Sequence, residues 1–443
     1  MDNELPIGWI ETGLLDIVEV YTGKKDANYA TSDGKYLFFT CAYEPLRSDD
    51  YSFEGDVLIL PGNGVNVGEV FYYSGKFEAY QRTYIVSNIK IDPKYLFYHF
   101  KRYWKEIGTA QQYGSATNYI KIGNFNDYRI SFPPLSEQQR IVAKIDTLFG
   151  HLDALKARLD RIPQLLKDFR QKVLTQAVTG KLTKPLTKWE KTNLGNLVFK
   201  GGIFDGPFGS NLKTEDYTSS GVRVIRLENI EFLNFVEEKE TFVSEGKYNT
   251  LTRHTVREGD IIFSSFISED IRACILPELK TKAIAKADCF CIRPDETKMD
   301  KKYLLFLLVS KISFNQLVAN IHGATRPRIN TTQLKTLIIS LPPLEEQQEI
   351  VRRVESLFAK ADQIEASYQK LKAKIEQLPQ ALLAKAFRGE RVEQLPADGD
   401  ARDLLEQIKQ AKEGLEKGGK GKKMKVEDEV RMVAEEGTRY GKK

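Results

Sequence analysis

The side chains best suited to recognition chemistry lie in four polar, glycine-rich runs. These are Gly62-Asn63-Gly64-Val65-Asn66, Gln111 to Lys121 (QQYGSATNYIK), Asp205 to Lys213 (DGPFGSNLK) and His322 to Asn330 (HGATRPRIN). They supply amides, hydroxyls, two tyrosine phenols, lysines and two arginines, the groups that hydrogen-bond base edges and phosphate oxygens. Turn chemistry alone accounts for any one such loop. Four loops at related positions in a duplicated chain point instead to nucleic-acid contact. The candidate contacts are Asn63, Asn66, Thr117, Asn118, Tyr119, Lys121, Ser210, Asn211, Lys213, Thr325, Arg326 and Arg328.

No comparable set suggests catalysis. There is no Asn-Pro-Pro-aromatic or Asp-Pro-Pro-aromatic tetrapeptide of the kind amino-group methyltransferases carry, and no dinucleotide-binding glycine fingerprint. Gly414 to Lys420 (GLEKGGK) imitates a phosphate loop, but Gly421 stands where Ser or Thr should hold magnesium and no strand precedes it. Pro294-Asp295-Glu296-Thr297-Lys298 places its carboxylates side by side, as a solvated turn would. Four cysteines, Cys41, Cys274, Cys289 and Cys291, and four scattered histidines form neither a disulfide framework nor a zinc pattern. Catalytic, cofactor-binding and metal-ligating residues are therefore all expected to be absent.

The elements that must position the loops are written twice. PPLSEQQRIV at Pro133 to Val142 returns as PPLEEQQEIV at Pro342 to Val351. The spacing from Pro133 to Pro342 equals that from Gly180 to Gly389, 209 residues in each case, so a whole element repeats without gaps. In the first copy Ile141, Ile145, Leu148, Leu152, Leu155, Leu159, Ile162, Leu166, Phe169 and Val173 alternate steps of four and three. The second copy keeps the pattern at Ile350, Val354, Leu357, Ala361, Ile364, Tyr368, Leu371, Ile375, Leu378 and Leu382. That is the seam of a coiled coil. Each such residue left in water forgoes roughly 1.5–3 kcal/mol of burial, so the copies are expected to pack antiparallel on one another. The seam set is Ile141, Ile145, Leu148, Leu152, Leu155, Leu159, Ile350, Val354, Leu357, Ile364 and Leu371.

Pro133-Pro134 and Pro342-Pro343 bar helix upstream, Ser136 is the expected N-cap, and Glu137, Glu345 and Glu346 put negative charge at the positive helix end. Gly180 and Gly389 stop the helices, while Pro163 and Pro379 should kink or divide them at non-equivalent points.

The regions before the helices echo one another more faintly. Trp9 answers Trp189, Glu54 to Ile59 answers Glu258 to Phe263, Tyr95 answers Tyr303, and Gly114 to Ile120 answers Gly323 to Ile329. Both regions read as mixed α and β, with strands near Tyr36 to Thr40, Val57 to Leu60, Val222 to Arg226 and Asp260 to Ser264. Helical patterns run near Pro93 to Ile107 and Lys301 to Val318. The expected fold is thus α+β: two mixed domains separated by two long antiparallel helices in a pseudo-twofold arrangement. The expected segments are a domain over 1–135, a helical spacer over 136–181, a second domain over 182–344, a distal helix over 345–390, and a C-terminal helix with a basic tail over 391–443.

At 443 residues the chain exceeds one core, and a net charge of +5 neither requires nor excludes nucleic acid. The sequence holds no run of 18 apolar residues and MDNELPIGWI lacks a signal-peptide shape, so a cytoplasmic location is expected.

The paired PPLxEQQxIV openings, each running through Leu-Phe and an Asp to a glycine stop, resemble the specificity subunits of type I restriction-modification systems. The resemblance spans about residues 6 to 390. It implies two target recognition domains, each reading half of a split, asymmetric DNA target, with helices that set the gap and dock two modification subunits. It further implies a non-catalytic chain in a DNA methylation and phage-defence complex. S-adenosylmethionine would then sit on the modification subunits, and ATP and magnesium on restriction subunits. Only the Gly114 to Lys121, Gly323 to Asn330 and Gly206 to Lys213 loops match family-like segments. The alternative is a coiled-coil scaffold with two protein- or peptide-binding domains; a nuclease or methyltransferase with unfamiliar motifs is a third reading.

Overall fold

The computed structural model describes residues 5–107, 118–183, 188–319 and 327–417. The chain forms two compact units, Met1–Ala157 with Lys372–Lys443, and Arg158–Leu371. Among the described residues no helix is long and apolar enough to cross a membrane.

In the first unit a six-stranded sheet runs in the order Glu19–Thr22, Thr83–Ser87, Phe53–Pro61, Phe71–Ala79, Tyr36–Phe39 and Leu46–Ser48. Its pairs are antiparallel except Tyr36–Phe39 beside Phe71–Ala79. Helix α1 (Pro93–Ile107) begins with proline, where a missing N–H costs nothing, and Asp92 Oδ1 accepts the Tyr95 N–H at 2.9 Å. It buries Tyr95, Leu96, Tyr98, His99, Phe100 and Trp104. The second unit holds a five-stranded sheet, ordered Tyr217–Thr218, Phe242–Val243, Val222–Ile225, Ala283–Ala285 and Thr255–Val256. A four-stranded sheet follows the order Val198–Phe204, Cys289–Pro294, Ile261–Ser264, Ala273–Ile275. Its inner strand Cys289–Pro294 buries Cys289, Phe290, Cys291 and Ile292 alike, so neither face of that strand is open to water.

The first repeat copy is two helices, α2 (Leu135–Leu159) and α3 (Ile162–Val178). Pro163 falls in the first turn of α3, so the copy divides there. The expected Lys301 to Val318 helix also divides, into α4 (Lys301–Leu308) and α5 (Lys311–Val318), because the Ser310 hydroxyl accepts the Ser313 N–H and caps a new start. The second copy is one helix, α6 (Leu344–Ala386), which continues through Pro379. A last helix, α7, spans Ala401–Lys417.

Ser136 is not the cap. Helix α2 opens one residue earlier, the Glu137 and Gln138 N–H groups donate to the Pro134 carbonyl, and the Ser136 hydroxyl reaches Asp398 at 2.9 Å. Gly180 (φ +74) and Gly389 (φ +73) take the left-handed conformation that ends a helix. At the second stop Gly389 N–H donates to Ala386 and Glu390 N–H to Lys385; at the first, Lys181 N–H donates to Gln176.

Each unit contains an antiparallel helix contact. In the first, Phe149 and Leu152 border one cavity with Pro379 and Leu383, while Arg140, earlier in α2, reaches Asp398 and the Glu393 carbonyl beyond α6. In the second, Arg170 donates to Asp362 at 2.7 Å, and Arg353, earlier in α6, reaches the Leu182 carbonyl at 2.8 Å. The seam is not uniformly buried, however. Ile141 and Ile145 join the domain core with Trp9, Leu14 and Tyr95, and Ile350 and Val354 join one with Tyr303 and Leu304. Leu152 and Leu159 are buried and Leu148 and Leu357 half-buried, whereas Leu155, Ile364 and Leu371 are 44%, 52% and 46% exposed. The start of each helix therefore serves its own domain first.

Candidate nucleic-acid interface

The EQQ triplets join helix to domain, twice and in the same way. Trp9 Nε1 donates to Glu137 Oε1 and Trp189 Nε1 to Glu346 Oε2, each at 3.1 Å. Gln138 accepts the Asp92 N–H at 2.8 Å and donates to the Pro133 carbonyl; Gln347 accepts the Asp300 N–H at 2.7 Å and donates to the Pro342 and Lys298 carbonyls. Tyr95 and Tyr303 donate their hydroxyls to the Ser131 and Ser340 carbonyls. Beside them a strand pair forms, Ile10–Gly13 on Arg129–Phe132 in one unit and Glu190–Asn193 on Ile338–Leu341 in the other. Burial raises the Glu137 carboxyl above its usual range, against the pull of the Trp9 N–H.

From this joint each unit carries its candidate loop to a second repeated contact. In the first, Ile120 N–H donates to the Gly62 carbonyl and Gly64 N–H to the Asn118 carbonyl, both at 2.9 Å, bridging Asn63 to Tyr119. In the second, Ile329 N–H donates to Ser265 and Ile267 N–H to Pro327, both at 3.0 Å, bridging Phe266 to Arg328. One backbone clamp thus presents Asn63 and Tyr119 in one unit, Phe266 and Arg328 in the other. Asn66 is anchored to the Cys41 carbonyl at 2.8 Å, and the Lys121 ammonium lies 5.9 Å from the Tyr119 ring centre. Gly62, Arg82, Tyr84, Tyr119 and Lys121 border a polar cleft of about 510 Å³.

The second unit also brings its two sequence-identified loops together. Asp205 Oδ1 accepts the N–H groups of Gly206 (2.7 Å) and Asp288 (2.9 Å), and Asp288 Oδ1 lies 3.5 Å from Arg328 Nη1. Gly206 has no alternative here: a β-carbon would stand 2.1 Å from the Lys286 carbonyl carbon. Burial, helped by the Asp288 charge, pushes the Asp205 carboxyl up to about 6, although the two N–H groups and Arg328 oppose it. His254 accepts from Arg253 at Nε2, so its Nδ1–H donates to the Asp205 carbonyl at 2.7 Å, and burial lowers its pKa. Downstream, Phe208, Ser210, Asn211 and Lys213 stand exposed around a buried Leu212, with Lys213 Nζ 3.4 Å from Glu215.

Of the twelve candidates, Asn63, Asn118, Tyr119 and Arg328 meet in the clamps, Asn66 and Lys121 flank the first, and Ser210, Asn211 and Lys213 lie on the loop following Gly206. Thr117, Thr325 and Arg326 fall outside the described residues. Sequence reasoning missed Phe266, Ser265, Asp205 and Asp288. The match of Ile120 with Ile329 pairs Tyr119 with Arg328 but does not reach Phe266, and nothing local marks Asp288. Among the described residues no three His, Cys, Asp or Glu side chains gather to hold a metal ion.

The family model described as the type I restriction modification DNA specificity domain matches residues 6–164 and 207–377. The chain is 34% identical over 444 residues to the type I restriction enzyme EcoDI specificity subunit of Escherichia coli, covering 92% of this chain and 96% of that one. It is 32% identical over 355 residues to the EcoBI specificity subunit of Escherichia coli, covering 71% of each. Its fold is similar to the crystal structure of the HsdS subunit from Thermoanaerobacter tengcongensis, with a TM-score of 0.56 at 17% identity over 88% of this chain and 99% of that one. A structure from work on complex assembly and conformational transition of the type I R-M system gives a TM-score of 0.62 at 18% identity, over 87% and 99%. With two matched domains and a relative aligned along almost its whole length, the chain belongs to the type I restriction-modification DNA specificity family.

Proposed function

We propose that this chain is the DNA reader of a type I restriction-modification complex, in which each recognition domain reads one half of a bipartite, asymmetric target. The repeated helices set the gap between half-sites and dock two modification subunits. Those partners carry S-adenosylmethionine and methylate the target, restriction subunits use ATP and magnesium, and this chain contributes no catalytic group. The complex works on double-stranded DNA in the cytoplasm.

The observation that carries this reading is the repeated clamp with unlike side chains. Similar frames give similar access to a groove, while Asn63 with Tyr119 and Phe266 with Arg328 offer different hydrogen-bonding patterns, so the two half-sites should differ.

The test exchanges residues 182–344 for the matching part of a relative of known target in a strain carrying the whole system, followed by genome-wide methylation mapping. One half of the methylated motif should change and the other persist. A motif altered in both halves, or in neither, would defeat the assignment of one domain to each half.

A further inference from the structure

An arginine on a surface loop reaches phosphates and base acceptors alike, because its fork swings on a long stem; it discriminates only when the guanidinium plane is held. We propose that Asp288 is a specificity-determining positioning residue that holds the Arg328 guanidinium for base contact in the second half-site. This rests on the reading of Arg328 as a DNA contact.

Asp288 sits in the left-handed region at φ +70, where a β-carbon is disfavoured. Two hydrogen bonds keep it there: its N–H donates to Asp205 Oδ1 at 2.9 Å, and its carbonyl accepts the Ser265 N–H at 2.9 Å. The conformation aims its carboxylate at two groups. Oδ1 accepts the Ser265 hydroxyl at 2.9 Å and lies 3.5 Å from Arg328 Nη1. Ser265 is also the residue whose carbonyl takes the Ile329 N–H. One short segment therefore holds the Arg328 backbone through a carbonyl and sets the hydroxyl-bound carboxylate beside its guanidinium.

The exposure of the pair fits this role. The Asp288 side chain is 22% exposed and that of Arg328 59%, so the brace is sheltered while much of the fork faces outward. A neighbouring negative charge also offsets the attraction of Arg328 for phosphate, leaving directional hydrogen bonding as what it can offer. At the equivalent position the first unit holds Tyr119, and Asp288 belongs to the second unit, so the first half-site should not respond to Asp288.

The test uses the full system in cells, mapping methylation with Asp288→Asn and Arg328→Ala chains, and the purified complex, measuring binding to duplexes altered at each target position. Asparagine tolerates the left-handed conformation and retains an acceptor for Ser265, so the turn should persist. Expected for Asp288→Asn is about tenfold less discrimination at one position of the second half-site, an unchanged first half-site, and no loss of binding to unrelated DNA. Arg328→Ala should relax the same position. If Arg328→Ala relaxes the motif and Asp288→Asn does not, the brace is wrong while the reading of Arg328 stands. If neither alters it, both fall. Equal weakening on every duplex would make Asp288 merely structural and overturn the proposal.

Discussion

Gln347→Leu tests the joint between helix and domain most sharply. The Gln347 side chain is fully buried and makes three hydrogen bonds, to the Asp300 N–H at 2.7 Å and to the Lys298 and Pro342 carbonyls at 2.9 and 3.0 Å. Leucine fills a similar volume but makes none. At roughly 0.5–1.5 kcal/mol net for each bond, the loss is about 3 kcal/mol, more if the abandoned N–H stays dry. Gln138, equally buried, makes two, to the Asp92 N–H and the Pro133 carbonyl at 2.8 Å each, so Gln138→Leu should cost about 2 kcal/mol. Hydrogen exchange read by mass spectrometry separates the units. Peptides covering Asp300 to Tyr303 should exchange on the order of 100-fold faster in Gln347→Leu, and those covering Asp92 to Tyr95 roughly 30-fold faster in Gln138→Leu. Each variant should leave the other unit's peptides alone. Wild-type protection in both, or greater damage from Gln138→Leu, would refute the hydrogen-bond account of the motif.

Two further outcomes are expected. The Arg140 fork, assisted by the Ser136 hydroxyl and the Leu395 N–H, holds the Asp398 carboxyl down to about 2 from 3.8. A depressed carboxylate stabilises fully above its unfolded value, so this contribution should be present above about pH 4 and vanish as pH falls through 2. Pepsin should therefore release the segment from Arg391 onward only in that acid window, and Asp398→Asn should be cut already at pH 4; identical cleavage of the two would count against the latch. Inserting seven residues, about two helical turns, into α6 after Ser367 should lengthen or abolish the gap in the methylated motif without changing its bases, and an unaltered gap would remove the spacing role.

Much of this architecture was legible from spacing. A segment repeated without gaps at an offset of 209 residues located α2, α3 and α6, and the glycine stops lie at Gly180 and Gly389 with left-handed backbones. Prolines were less legible, because their effect depends on where the chain breaks: Pro163 occupies a first turn whose N–H would be unpaired anyway, whereas Pro379 is carried inside a continuous helix. The seam pattern overstated helix pairing. Ile141 and Ile350 belong to domain cores, because the tryptophan and glutamine contacts draw each helix start onto its own domain before the partner helix is met. The loops were legible as polar, glycine-rich runs, but the Asp205, Asp288 and Arg328 chain was not. It joins residues 83 and 40 positions apart through a left-handed aspartate, a conformation that no local pattern announces.

The distribution of contacts between side chain and backbone explains how one frame can carry two different sets of loop side chains. The joint depends on particular side chains: Trp9 or Trp189, Glu137 or Glu346, Gln138 or Gln347, each hydrogen-bonded to a partner at the equivalent place in its own unit. At the clamp the inter-strand bonds are N–H to carbonyl in both units, and the bridged side chains are Asn63 and Tyr119 in one, Phe266 and Arg328 in the other. A ladder made of backbone tolerates almost any residue between its bonds, so the bridged positions can change without the frame being lost. Within one chain the joint side chains are kept and the clamp side chains are not. That is the division the proposed half-site reading predicts, since it asks for one docking surface in both halves and a different DNA face in each.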